Sequence, residues 1–317
     1  AAPLVGRFAP TPSGFLHLGN VFCSLLAWLY AKKSGGKIVL RIEDLDPQRC
    51  SLAKADALAR ELEWLGLTWD EGAYVSADSD AYFQSRRSDI YAHYFDKLRQ
   101  ADLVYPCFCS RGELHAAEAP HTSDGRIIYA GTCSQLTESE RAAKEKLRRP
   151  AWRVRVTDEP ICFTDAHYGA QSLRLTEECG DFILRRSDGV YAYQLAVVID
   201  DALMGVTQVV RGCDLLSSTP MQIYLYRLLG FTPPSFCHIP LLTDADGRRL
   251  AKRDGDLEIS SLRKIYGTPE PIIGLLAYLA GQLERPEPLS AAELLPLFDA
   301  AKIPTQNIVV PRDLIHQ

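Results

Sequence analysis

The sequence has 317 residues, enough for two or three domains, and at 47% hydrophobic and 24% charged it can build a sizeable core. A net charge of −5 excludes a chain coated in basic surface, so any RNA binding needs a local basic face. Nine cysteines, an odd number spread along a long chain, exclude a dense disulfide scaffold and point to a reducing cytoplasm.

The first apolar run, residues 4–9, reads as a buried strand, followed by a turn of Pro10, Thr11, Pro12, Ser13 and Gly14. Residues 21–32 have helical spacing, with Phe22, Leu25, Leu26 and Leu29 on one face; Gly35 and Gly36 end the helix, and 37–43 is a second strand. Such a strand–helix–strand unit predicts a parallel sheet. The start goes straight into apolar strand, so no signal peptide is expected. No apolar run approaches the roughly 18 residues of a membrane span.

Helical patterns follow at 52–66 and 84–99. From about 106 to 190 the character changes to clustered cysteines, a polar stretch and short β-like runs at 152–156 and 161–163, an insertion between two halves of the sheet. The core resumes with predicted strands at 193–199 and 208–211 and a helix over 221–229; the rest reads as short helices. The expected organisation is a first half-core over 1–105, the insertion over 106–190, a second half-core over 191–256 and a helical region over 257–317. Arg86/Arg87, Arg148/Arg149, Arg185/Arg186 and Arg248/Arg249 with Lys252/Arg253 are the candidate basic pairs, and solvated surface is the favoured reading of any one of them. Cys23, Cys50, Cys162, Cys179, Cys213 and Cys237 read as small buried apolar residues.

His17-Leu18-Gly19-Asn20 sits at the first strand-to-helix junction. Helix N-termini there present N–H groups and partial positive charge to phosphate. Gly14 permits the turn, Gly19 lets a nucleotide approach the backbone, and His17 can donate to a phosphate oxygen. Downstream, 247–255 combines glycines with Arg248, Arg249, Lys252 and Arg253, a loop able to close over a triphosphate and neutralise leaving pyrophosphate.

Several runs together resemble the glutamyl-tRNA synthetases of class I: residues 6–20 around His17, 40–46 with Arg41 and Glu43, 64–72, 196–201, 210–214 and 250–255. They occur in the family's order over about residues 4–256. The resemblance implies an α/β fold, a class I aminoacyl-tRNA-synthetase Rossmann-type parallel sheet with an inserted zinc-containing subdomain and a short helical C-terminal region. It implies ATP as substrate, Mg2+ with it, and L-glutamate as the amino acid activated. It assigns catalytic roles to His17, Asn20 and Lys252, and ATP contacts to Pro10, His17, Gly19, Asn20, Arg249 and Lys252. Glutamate contacts fall on Arg7, Phe8, Ala9, Pro10, Thr11, Glu43, Tyr193 and Arg211. The chemistry agrees, since two carboxylates suit arginine forks and an ammonium suits Glu43. The second signature departs from the family's lysine–leucine–serine–lysine at Ala251, which removes one hydroxyl from the loop and bears on rate rather than reaction type.

Cys107, Cys109 and Cys133 in a loop-rich insertion suggest structural zinc, which takes four ligands. His115 and His121 are the conventional candidates for the fourth. The spacing C-x-C followed by Y-x3-C resembles a shortened glutamyl-queuosine branch of the family, and that resemblance favours Tyr129. With about 60 residues beyond Gly255, the chain is short for an anticodon-binding region of the usual kind. The branch implies transfer of glutamate to queuosine in the anticodon of tRNA(Asp), by a cytoplasmic monomer with no membrane partner. The alternatives are a truncated or conventional glutamyl-tRNA synthetase charging tRNA(Glu), a non-catalytic RNA- or protein-binding paralogue, and a small-molecule ligase or nucleotidyltransferase on the same core.

Overall fold

The computed structural model describes residues 2–116, 127–250 and 257–314, apart from the side chains of Arg111, His115, Ala116 and Leu314. Strand β1, Val5–Phe8, leads through helix α1, Leu18–Lys33, to strand β2, Lys37–Leu40. Helix α2, Leu52–Trp64, and the short strand β3, Glu71–Gly72, follow. β1 pairs parallel with β2, and β2 with β3. Gly72 has φ +112° and its backbone crosses β2 so closely that a Cβ would lie 2.2 Å from the Leu40 carbonyl oxygen, a position only glycine tolerates. α1 ends with Lys32 and Lys33 in its last turn, where cations offset the helix dipole, and with Gly35 at φ +72°.

Helix α3, Ser88–Gln100, leads into the insertion. There β4 (Val104–Cys107), β5 (Ala151–Val154) and β8 (Phe182–Arg185) form an antiparallel sheet in the order β4-β5-β8. Helices α4 (Arg111–Ala116) and α5 (Glu138–Glu145) lie between β4 and β5 in sequence. β6 (Ile161–Asp165) and β7 (Gly169–Leu173) make a separate hairpin, followed by α6, Leu175–Glu178.

The core resumes with helix α7, Tyr193–Leu203, strand β9, Gln208–Gly212, helix α8, Thr219–Leu228, and strand β10, Ser235–Ile239. β9 and β10 pair in parallel, and Thr207, just before β9, donates its N–H to the Val5 carbonyl oxygen at 2.9 Å. The three-stranded parallel unit β1-β2-β3 and the parallel pair β9-β10 thus meet at β1 and β9, with the crevice at the carboxyl ends of those two strands, where doubly wound sheets bind ligands.

The run 193–199, expected as a strand, is the first part of α7. Its residues from Leu195 to Asp201 are all buried, so the helix has no polar face to show a 3.6-residue period. Periodicity cannot separate such a helix from a buried strand. Tyr193 consequently sits in the first turn of a helix rather than at the start of a strand.

Strands β11 (Leu242–Thr243) and β12 (Ile308–Val309) pair in parallel beyond the sheet. Helices α9 (Ile259–Tyr266), α10 (Glu270–Leu279) and α11 (Ala291–Leu294) pack Leu262, Ile272, Ile273, Leu276 and Leu294 into the same core as Val21, Leu25 and Leu58. This explains why α1 is buried beyond its single predicted face: the sheet covers one side and these helices another.

All nine cysteines are free, but only Cys107, Cys133 and Cys237 are buried, and Cys162 is exposed on the outward side of β6. The expectation of buried thiols fails for Cys162, whose strand position alternates outward, while Cys23, Cys50, Cys179 and Cys213 are half-buried in helical and turn positions. Arg87 corrects the expectation of a solvated basic pair: it is buried, with Nε donating to Asp200 at 2.7 Å. Among the described residues no helix is long and apolar enough to cross a membrane.

Candidate active site

A crevice of about 280 Å3 opens at the carboxyl ends of β1 and β9 and over the N-terminus of α1. Arg7, Phe8, Ala9, Pro10 and Thr11 line it from β1 and the turn that follows; His17, Gly19 and Asn20 line it from the start of α1. Glu43 enters from just beyond β2, Tyr193 from the first turn of α7, Arg211 from β9, and Arg249 from the strand-like segment after β11. Of the residues expected to bind ATP or glutamate, Lys252 alone lies outside the described residues, with its neighbours 251–256.

The ends of that segment converge on the crevice. Leu250 donates its N–H to the Leu242 carbonyl, Arg249 pairs with Asp214, and on the far side Ile259 donates its N–H to the Leu16 carbonyl at 2.9 Å. Arg249 is thus tied to the turn after β9, and Ile259 to the His17 turn. Asn20 Oδ1 accepts from the His17 N–H at 3.2 Å and fixes the entry of α1. A Cβ at Gly19 would meet Cε1 and Nδ1 of the His17 ring at 3.2 Å, tighter than ordinary packing. Glycine at 19 thus leaves room for the imidazole as well as for a ligand.

Beneath the crevice lies a buried charge network. Arg7 Nε donates to Asp201 at 3.2 Å, Arg41 donates to Asp201 at 2.7 Å and to Glu43 at 3.2 Å, and Gln84 bridges Glu43 and Asp200. Burial raises the carboxyl of Glu43, against the pull of Arg41 and Arg7. The Asp201 carboxyl, which burial alone would raise, is held below the usual range by Arg41 and Arg7. Burial, then the nearby Glu43, raises the Tyr193 hydroxyl, so it stays protonated and able to donate. Arg211 is held separately by His238, Gln222 and Thr219.

Sequence reasoning named Glu43 and Arg7 but gave no role to Arg41, Gln84, Asp200, Asp201, Asp165 or His238. Arg41, Asp200 and Asp201 stood inside runs that carried the resemblance, and an Asp-Asp pair closing a long apolar run was the available signal. Asp165 and His238 gave none.

In the insertion, Cys107 and Cys133 are buried and Cys109 is partly so; their three sulfurs lie within 4.8 Å of one another. Tyr129 joins them: its oxygen is 3.5 Å from Cys107 Sγ and 3.7 Å from Cys109 Sγ, and Cys109 Sγ is 3.6 Å from Cys133 Sγ. A tetrahedral zinc with Zn–S of about 2.3 Å and Zn–O of about 2.0 Å separates sulfur from sulfur by about 3.8 Å and sulfur from oxygen by about 3.5 Å. The donor set fits that ion. Arg153 adds positive charge, its Nε 3.2 Å from Cys107 Sγ and its guanidinium 3.7 Å from the centre of the Tyr129 ring. Although burial raises it, the Cys107 thiol is held below its ordinary value by Tyr129 and Arg153. His121 lies outside the described residues, as does the side chain of His115.

Residues 3–294 match the family of class I tRNA synthetases (E and Q), catalytic domain. The chain is 49% identical over 316 residues to the Glutamyl-Q tRNA(Asp) synthetase of Symbiobacterium thermophilum, covering 98% of this chain and 97% of that protein. It is 43% identical over 276 residues to Glutamate–tRNA ligase 2 of Alkalilimnicola ehrlichii, covering 86% of this chain and 58% of that one. The crystal structure of a glutamate tRNA ligase from Elizabethkingia meningosepticum in complex with its amino acid superimposes with a TM-score of 0.83 at 29% identity, covering 99% of this chain and 68% of that one.

Proposed function

The chain belongs to the family of class I tRNA synthetases of the E and Q type, and from that membership we propose that it activates glutamate with ATP and transfers the glutamyl group to queuosine in the anticodon of tRNA(Asp). The observation that carries this reading is the single crevice that gathers the α1 N-terminus and His17 with Arg7, Arg211 and Glu43. One end suits phosphate and the other a dicarboxylate bearing an ammonium. Two relatives named Glutamyl-Q tRNA(Asp) synthetase match over 97% and 96% of their own length.

In the first step a carboxylate oxygen of glutamate attacks the α-phosphorus of ATP. The new P–O bond forms as the bond to the β-phosphate oxygen breaks, and pyrophosphate leaves with that electron pair. The N–H groups of the α1 N-terminus and His17 bind phosphate, and Arg249 and Lys252 neutralise the departing charge. Arg7 and Arg211 take carboxylates, while Glu43 and Tyr193 face the ammonium. In the second step a hydroxyl of the cyclopentene diol attacks the activated carbonyl, the acyl–phosphate bond breaks, AMP leaves and the hydroxyl proton passes to solvent. Both steps rest on positioning and charge complementarity. Mg2+ bound to ATP would neutralise part of the triphosphate. Cys107, Cys109, Tyr129 and Cys133 would hold one zinc ion as a structural tie within the insertion. We place the enzyme in the cytoplasm as a monomer.

Transfer of labelled glutamate to purified tRNAs tests the reading. Labelling confined to queuosine-containing tRNA(Asp) is expected. Labelling of tRNA(Glu) would instead establish the second reading, a conventional charging enzyme, which relatives named glutamate–tRNA ligase favour.

A further inference from the structure

Arg7 and Arg211 both reach the crevice, yet different chemistry holds them. The charge of Arg7 is answered by the buried carboxylate of Asp201. Among the described residues, every hydrogen-bond partner of Arg211 is uncharged: Nε donates to His238 Nε2 at 3.0 Å, one terminal nitrogen to Gln222 Oε1 at 2.8 Å, and the other to Thr219 Oγ1 at 2.8 Å. A guanidinium has five N–H groups. Three are used here, which leaves one on each terminal nitrogen and a positive charge that no direct carboxylate contact offsets. Arg211 is only 5% exposed, so that charge faces little water.

An imidazole accepts at Nε2 only when its proton sits on Nδ1. Asp165 enforces that tautomer: its Oδ1 lies 2.6 Å from His238 Nδ1, and neither side chain is exposed. The carboxylate is itself fixed by the backbone N–H groups of His238, His167 and Tyr168. Phe236 stacks against the imidazole at 6.2 Å between ring centres and 15° between planes. A protonated His238, or the other tautomer, would turn an N–H toward the Arg211 Nε–H and leave Thr219 Oγ1, 3.1 Å from Nε2, as the acceptor at that position. Asp165 comes from β6, so the insertion, although remote from the nucleotide end, reaches the amino-acid end of the crevice through two side chains.

We infer that Asp165 and His238 are positioning residues that orient Arg211 with its charge unspent toward a substrate carboxylate, and that they thereby set the preference for glutamate over glutamine. The inference rests on the glutamate site proposed above. A carboxylate gains a charge-assisted pair from such a fork, whereas an amide presents one acceptor and two donors to it.

The test is glutamate-dependent ATP–pyrophosphate exchange by the full chain, with KM measured for glutamate, glutamine and ATP. His238→Leu removes the acceptor and is expected to raise KM for glutamate by about tenfold or more, to narrow the glutamate-to-glutamine ratio, and to leave KM for ATP within about twofold. His238→Gln restores an acceptor and is expected to recover most of that loss. Asp165→Asn is expected to raise KM for glutamate, and ring 15N spectroscopy is expected to show the Nδ1–H tautomer of the wild type giving way in part to Nε2–H. If His238→Leu does not fold, the Asp165→Asn pair of readouts decides. Wild-type KM values in the His238 and Asp165 variants, with the wild-type tautomer in Asp165→Asn and glutamate activation intact, would overturn this inference alone. A wild-type protein that shows no glutamate-dependent exchange would overturn the glutamate site and the inference together.

Discussion

Arg41 and Asp201 meet at 2.7 Å beneath the crevice, 160 residues apart in sequence, and neither side chain is open to solvent. Asp201 also takes the Nε of Arg7, so one carboxylate ties a pocket-lining arginine to a wholly buried one. Around it Arg7, Arg41 and Arg87 balance Glu43, Asp200 and Asp201. Charges this deep are tolerated only when paired and hydrogen-bonded. Asp201→Ala leaves two arginines facing each other across a void and is expected to lower stability by about 3–5 kcal/mol. It should also raise KM for glutamate, because Arg7 loses its anchor. Urea denaturation checks the first effect and exchange kinetics the second; an unchanged midpoint would show that solvent or Glu43 takes over the pairing.

The same pair shows what the sequence made legible. β1, β2 and β9 were readable as short apolar runs bounded by turn residues, and α1 because Phe22, Leu25, Leu26 and Leu29 repeat at helical spacing. The crevice was readable because its residues sit at strand ends and at a helix start, positions fixed by local chain direction. Long-range pairing was not. Nothing local links Arg41 to Asp201 or Asp165 to His238, since the fold alone brings β6 against β10 and α7 beneath β2. The helix α7 was misread for the related reason that burial on every side erases its period.

Gly19 offers a narrower test of the nucleotide end. A methyl group there must push the His17 ring by a few tenths of an ångström, because its Cβ would sit 3.2 Å from two ring atoms. The helix itself would gain from alanine, which has a better helical propensity by about 1 kcal/mol. Gly19→Ala is therefore expected to leave the melting temperature unchanged or raised while KM for ATP rises about tenfold and KM for glutamate stays near wild type. Unaltered ATP kinetics would mean that the His17 ring has slack, or that it does not touch the nucleotide.

The cysteine cluster makes a prediction independent of turnover. The cluster of Cys107, Cys109 and Cys133 with Tyr129 is expected to bind about one zinc per chain, measured by metal analysis of the purified protein. Cys107→Ser combined with Cys109→Ser should abolish that content and lower the unfolding temperature. Tyr129→Phe separates the ligand sets: loss of zinc would support the phenolate as the fourth donor, while full retention would hand that position to another group. A metal-free and fully active wild type would remove zinc from the account.

His238 also predicts how stability responds to acid. The charged groups facing it are Asp165 from β6, Arg211 from β9 and Asp214 from the turn after β9. Burial, with the charge of Arg211, holds the imidazole below its ordinary value of 6.5, against the pull of Asp165. The unfolded chain therefore takes up a proton near pH 6.5 that the folded chain refuses. The stability this site contributes is fully present above that pH and is lost as pH falls below it, until the folded imidazole protonates too. The slope from one such group is at most about 1.4 kcal/mol per pH unit. Asp165, held low by His238 although burial would raise it, adds a separate loss only in stronger acid, below the ordinary carboxylate value of 3.8. Melting curves between about pH 7 and 5.5 should thus fall more steeply for wild type than for His238→Gln. Equal slopes would place the proton uptake on other groups and leave His238 neutral in both states.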